Sequence, residues 1–96
     1  MEENAKQLAA LLRLLANENR LLILCALIDK ALTVNKIAEH VPDISQPALS
    51  QHLQLLKTAK ILESEKTAQS VTYWIADSRI LEIMETLKTN YCDKED

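Results

Sequence analysis

The chain has no glycine among its 96 residues. Helix ends and turns that ordinarily exploit glycine's left-handed conformation must rely on Asn, Asp, Ser and Pro. A Gly-rich phosphate loop is excluded. Phenylalanine is also absent, and the only aromatics are one Trp and two Tyr. The core must then be aliphatic, chiefly Leu and Ile, as in helical proteins. The two cysteines, Cys25 and Cys92, lie too far apart for a C-x-x-C redox or zinc pattern and are too few for a secreted disulfide framework. The longest apolar run, LLILCALI from Leu21 to Ile28, falls well short of the ~20 residues that cross a bilayer. The acidic opening MEENAKQ is unlike a signal peptide. No membrane partner and a cytoplasmic location are expected.

What is present suits one small globular domain over residues 1–96, with 48% apolar and 26% charged residues. A core this small often gains stability by dimerising. The net charge of −3 weighs against a strongly basic nucleic-acid binder, but its distribution matters more than its sum. Acids crowd the two ends, at Glu2, Glu3, Glu82, Glu85, Asp93, Glu95 and Asp96. The window from Ile44 to Leu62 holds Lys57 and Lys60 and no acid.

Hydrophobic spacing predicts four helices, a hairpin and a last helix. Leu8, Leu11, Leu12 and Leu15 form one stripe on a helix from Asn4 to about Leu15. Asn17 or Asn19 caps a second helix from about Glu18 to Ile28, with Leu21, Leu22, Cys25 and Ile28 on one face and apolar residues nearly all round, as in a central helix. TVNKIAEH reads as a short helix capped by Thr33, with Val34, Ile37, Ala38 and Val41 inward. After Pro42 and Asp43, Ser45 caps a helix with Pro47 in its first turn and Leu49, Leu53 and Leu56 buried. ILESEK and SVTYWI are alternating or β-branched, and predict a two-stranded hairpin with a longer loop at TAQ, since no glycine serves a tight turn. Asp77 or Ser78 caps a final helix to about Tyr91, striped by Ile80, Ile83, Met84, Leu87 and Tyr91. The fold class is mainly α with a small β-hairpin, in the order ααααββα.

Two short helices, a polar-faced helix and a hairpin describe a winged helix-turn-helix. With Leu49 inward, Pro47, Gln51 and Gln54 point outward, Gln46, Ala48 and Ser50 flank them, and His52 falls nearer the buried side. Gln and Ser both donate and accept, which matches base edges and phosphate oxygens, whereas an acid would repel phosphates. The candidate DNA-contacting residues are Ser45, Gln46, Ser50, Gln51, His52, Gln54 and Lys57. His52 fits equally a partly buried, hydrogen-bonded histidine. The plainer alternative is an ordinary helix surface, since Gln is a good helix former.

LANENRLLILCAL, ISQPALSQHLQLLKTAKIL and SVTYWI together resemble the ArsR/SmtB family of bacterial winged-helix repressors, over nearly the whole chain. The resemblance implies a homodimer joined through its terminal helices, with two recognition helices in successive major grooves of an inverted-repeat operator in double-stranded DNA. It also implies wings, here Lys66, Thr67 and Gln69 within Lys66–Ser70, that reach backbone or minor groove. Many members sense metals. Their C-x-C site falls here on Thr33 and Asn35, and their D-x-H…H-x-x-E/H site on Asp77, Arg79, Asn90 and Asp93. Neither set keeps the thiolates or imidazoles that transition metals favour, so no metal or other cofactor is expected. Cys25 in the second helix and Cys92 at the end of the last resemble a dithiol subgroup of the family. In that subgroup the pair responds to an oxidant or reactive sulfur species as inducer. The alternatives are a buried hydrophobic Cys25 and an incidental Cys92, in a regulator with no thiol switch.

Two other classes remain to be weighed. In an enzyme, Ser50 and His52 would have to act together, yet helical geometry points them about 200° apart. A winged-helix protein-interaction module that does not bind DNA would suit the acidic net charge. The acid-free window argues against it.

Overall fold

A computed structural model of the chain describes residues 1–92, with side chains through Tyr91. Helix α1 runs Glu2–Leu15, α2 Glu18–Ala26, α3 Val34–Glu39, α4 Gln46–Thr58 and α5 Ser78–Leu87. Strands β1 (Leu32–Thr33), β2 (Leu62–Thr67) and β3 (Ser70–Ile75) form one antiparallel sheet in the order β1-β3-β2. The fold is a winged helix-turn-helix, mainly helical with a small three-stranded sheet.

Side-chain caps start α2 to α5 without glycine's help, while α1 begins after Met1 with no side-chain cap. Asn17 accepts from the Arg20 amide at 3.0 Å, Thr33 from Lys36 at 3.3 Å, Ser45 from Ala48 at 3.2 Å and Asp77 from Arg79 at 2.9 Å. Each satisfies one of the N–H groups that a helix start leaves without a partner.

The core is aliphatic, as the missing aromatics require. Leu15, Ile23, Leu24, Leu27, Ile37, Val41, Leu49, Leu53, Leu56, Ile61, Leu62, Ile80 and Met84 are buried, and no polar residue is buried among the described ones. The α4 stripe Leu49–Leu53–Leu56 faces inward as the spacing predicts. In α2 the buried residues are Ile23 and Leu24, with Leu27 at its end, instead. Leu21, Cys25 and Ile28 are only partly buried and Leu22 is exposed. An all-round apolar helix offers two seams, and the sequence stripe is the outer one.

Three further details differ from expectation. Leu32 and Thr33 pair with Tyr73 and Thr72, so the hairpin gains a third strand. Thr33 serves both as strand and as helix cap, and two residues are too few to show a period. The hairpin loop is tight, since Thr67 pairs with Ser70 and only Ala68 and Gln69 lie between. Ala68 has φ 55°, so alanine takes the left-handed position that glycine would fill. Finally, α5 ends at Leu87 and continues as a π-helical turn, Lys88–Cys92.

The end of α4 meets the same shortage. Lys60 N–H donates to the Lys57 carbonyl at 2.9 Å and Ile61 N–H to Leu56 at 3.0 Å, the paired bonds of a Schellman cap. Lys60 adopts φ 66° in the position glycine usually takes. Buried Ile61 and Leu56 supply the apolar contact that accompanies the motif.

Candidate nucleic-acid interface

The capping of α4 by Ser45 and the inward Leu stripe fix its rotation, and that decides which residues face out. Gln46, Ser50, Gln51 and Gln54 are exposed, and so is Ser45 at the cap. Gln54 Nε2 donates to Thr58 Oγ1 at 3.3 Å along the helix and keeps its carbonyl oxygen for other partners. Pro47 lies in the first turn and costs nothing there.

His52 sits on the inner flank, partly buried. Burial and, second, the charge of Arg20 on α2 hold its pKa below the ordinary 6.5. Arg20 itself is anchored, since its Nε donates to the Leu14 carbonyl at 2.6 Å. Arg20 thus touches the end of α1 and lies close enough to α4 to be felt by His52. Nothing in the spacing of α4 signals this partner, because it comes from another helix.

Lys57 is partly buried, and its ammonium donates to Ser64 Oγ on β2 at 2.8 Å. The wing tip carries Lys66, Thr67 and Gln69, all exposed. The hairpin also carries Glu63 and Glu65, acids beside a recognition helix that has none. Strand alternation turns them to the face opposite Leu62 and Ser64, away from α4. Recognition helix and wing tip thus share an acid-poor surface despite the negative net charge.

The cysteine region is separate. Cys25 lines an apolar cavity of about 360 Å³ with Leu21, Leu22, Met84, Leu87 and Tyr91. On its other side lies a cleft of about 590 Å³ whose polar residues are Asp29, Lys30, Lys36, Glu39, His40 and Lys88. Lys88 donates to Asp29 at 3.4 Å across this cleft. Leu87 and Tyr91 bring the end of α5 up to Cys25. The side chain of Cys92 lies outside the described residues. At the positions compared with the family's second metal site, Asp77 is occupied as a helix cap and paired with Arg79 at 2.8 Å, while Asp93 lies outside the described residues.

Comparison with known proteins agrees with this architecture. Residues 17–64 match the model of "Bacterial regulatory protein, arsR family". The chain is 38% identical to the transcriptional activator HlyU of Vibrio cholerae serotype O1, over 96% of this chain and 84% of that protein. It is 32% identical to the biofilm growth-associated repressor of Agrobacterium fabrum, over 100% of this chain and 81% of that one. The structure of reduced HlyU from Vibrio cholerae superposes with a TM-score of 0.89 over 96% of each chain. That of the repressor BigR from Xylella fastidiosa gives 0.86 at 28% identity, over 100% of this chain and 94% of that one. Relatives that activate and relatives that repress share the fold, so the resemblance fixes the mode of action and not its sign. This protein belongs to the arsR family of bacterial regulatory proteins: it is a winged helix-turn-helix, DNA-binding transcriptional regulator and not an enzyme.

Proposed function

We propose that the chain is a single domain, residues 1–96, that acts as a homodimeric repressor on an inverted-repeat operator. The observation that carries this is the exposed, acid-free face of α4 beside an equally exposed wing tip. Gln46, Ser50, Gln51 and Gln54 read base edges, Ser45, Lys66, Thr67 and Gln69 hold backbone, and His52 supports the helix from its inner flank. Lys57 adds positive charge at the last turn. A two-fold dimer offers two equivalent recognition helices, hence two half-sites about 34–36 Å apart. A gel shift with an operator fragment at two salt concentrations tests it. Affinity falls steeply with salt if phosphates are neutralised. Binding that is absent at low salt leaves a protein-interaction module as the reading.

The proposed inducer acts at Cys25 and Cys92. Support comes from the nearness of Cys25 to the end of α5 and from relatives that include the biofilm growth-associated repressors. A peroxide would accept two electrons and two protons from the thiols, leaving a disulfide and water. A persulfide RSSH would pass its outer sulfur to one thiol with release of RSH. The second thiol would then displace hydrogen sulfide and leave the same disulfide, and further sulfane sulfur would lengthen the bridge. Either bridge ties α5 to α2 and alters the spacing of the recognition helices, a coupling between distinct sites. Mass spectrometry of oxidised protein should find a Cys25–Cys92 linkage. Cys25→Ser and Cys92→Ser should each bind operator regardless of oxidant, and single mutants that still respond would sink the switch.

A further inference from the structure

We infer that Lys57 is a positioning residue rather than a phosphate contact: its ammonium braces the wing against the recognition helix through Ser64. The inference rests on the reading that α4 and the wing both touch DNA. The bond from Lys57 Nζ to Ser64 Oγ is 2.8 Å long, and both side chains are partly buried. It bridges the corner at which α4 becomes β2. That corner turns on Lys60 alone in the left-handed region. It fixes the path of the chain, and the Lys57–Ser64 bond adds a side-chain tie between α4 and β2.

The sheet holds the wing as far as Glu65, whose partner Thr72 also pairs with Thr33 on β1, and the tip projects beyond that point. Leu62 is buried and Ser64 partly buried, whereas Glu65, Lys66 and Thr67 are exposed. Ser64 is thus the last residue of β2 with a hold on α4. From Glu65 to the tip at Ala68 the strand spans roughly 10 Å. A tilt of about 10° there would move the tip by almost 2 Å, enough to lose a hydrogen bond.

The chemistry of the acceptor matters as well. Glu63 and Glu65 flank Ser64 in sequence, and either carboxylate would pair with Lys57 more strongly. It would also neutralise a cation and bring an acid onto the surface that is free of them. A hydroxyl holds the ammonium without cancelling its charge. Strand alternation, which turns both glutamates to the opposite face, leaves the hydroxyl as the partner.

Operator binding by anisotropy across a salt series, with hydroxyl-radical footprints and thermal melts, tests the brace. The informative pair is Ser64→Thr and Ser64→Val, which share a shape and differ in the hydroxyl. Ser64→Val should bind about three- to tenfold more weakly, as expected for a partly exposed charge-assisted hydrogen bond. Its salt slope should be unchanged, and its footprint should lose wing-side protection while keeping that of the recognition helix. Ser64→Thr should bind like the parent. Lys57→Met should lose the same wing-side protection as Ser64→Val, and the double variant should be no worse than Lys57→Met alone. Ser64→Val binding like the parent overturns the brace, as do multiplying losses. A Lys57→Met salt slope lower by about 0.9 does so too, since it marks a lost phosphate contact. Gln51→Ala and Lys66→Ala separate the two readings. If both bind like the parent, the interface itself is misplaced and the brace falls with it. If both weaken while Ser64→Val does not, only the brace fails.

Discussion

The two halves of this molecule finish their surfaces differently. Around α3, α4 and the sheet, the Leu and Ile side chains on the helix seams are sealed and the outward positions of α4 are polar apart from Leu55, which is 41% exposed. Leu49, Leu53, Leu56, Ile61 and Leu62 are each no more than 2% exposed. On α1 and on the turn that follows α5, apolar side chains stay open, while Ile80 and Met84 of α5 itself are buried. Leu8 is 51% exposed, Leu12 48% and Tyr91 73%, and of the α1 stripe only Leu15 is buried. Leu8 and Leu11 share a groove with Arg79 at the start of α5. The radius of gyration, 13.7 Å, exceeds the ~12.5 Å of a compact chain this long, as an outlying α1 would make it. One half is finished for water and a polyanion, and the other leaves apolar surface uncovered.

The sharpest way to break that contrast is to charge the open half. Leu8→Glu with Leu12→Glu should give a folded monomer by sedimentation, where the proposed dimer of the parent should run at twice the chain mass. Each half-exposed Leu leaves about 1 kcal/mol unclaimed. Four of them across a two-fold interface come to about 4 kcal/mol, on the order of a thousandfold in dimerisation. Operator binding should fall with it, because one recognition helix reads half a site. A variant that remains a dimer places the interface elsewhere.

A change on the finished half should be smaller and more local. Gln51→Ala removes a donor and an acceptor from the outward face of α4. It should cost roughly 1–3 kcal/mol of operator binding and relax preference at one base position per half-site. Dimerisation and melting temperature should not move. Selection of bound fragments by wild type and variant measures both effects, and identical preferences would remove Gln51 from base readout.

The same contrast explains which features could be read in advance. The α4 seam and the outward Gln51 and Gln54 were legible because one Leu stripe fixes a helix's rotation. The stripes on α1 and α5 were legible as stripes, but periodicity does not say whether solvent, core or a second chain covers them. In α2 the period failed, since apolar residues all round offer no unique seam, and Cys25 lies on the outer one. Turns failed for a different reason. Lys60 and Ala68 occupy left-handed positions with no glycine to mark them, so the Schellman corner and the tight hairpin carried no local signal. The Lys57–Ser64 and Arg20–His52 relationships join different elements, which no single-element period can reveal.

Within the open half, α5 depends on Asp77. The Arg79 side chain, by its hydrogen bonds, is the main cause holding the Asp77 carboxyl below its ordinary 3.8. A depressed carboxyl stabilises the fold above its unfolded pKa, and that contribution is lost as pH falls through the folded value. Asp77→Ala should cost about 1 kcal/mol at neutral pH through the lost helix cap. Asp77→Asn should keep most of the cap and lose the acid dependence below pH 3.8. Denaturant melts at neutral pH and in acid below that value measure both, and equal acid sensitivity in Asp77→Asn and the parent would rule Asp77 out as its source.

The smallest effect belongs to the finished half, where His52 sits partly buried on α4. Its pKa lies below 6.5, chiefly from burial and secondarily from Arg20. The unfolded chain therefore takes up a proton at higher pH than the native one does. The sign is opposite to that of a histidine with an acidic partner. Stability is complete above pH 6.5, declines as pH falls from there toward the folded pKa, and levels off below it. Imidazole proton shifts followed by NMR should give a midpoint under 6.5. Arg20→Gln should move that midpoint only part of the way back, since burial is the larger cause, and His52→Gln should remove the decline in stability. A midpoint at or above 6.5 would mean that an acid reaches His52. The finished half would then hold a negative charge beside the recognition helix, and its contrast with the acidic ends of the chain would fail at that point.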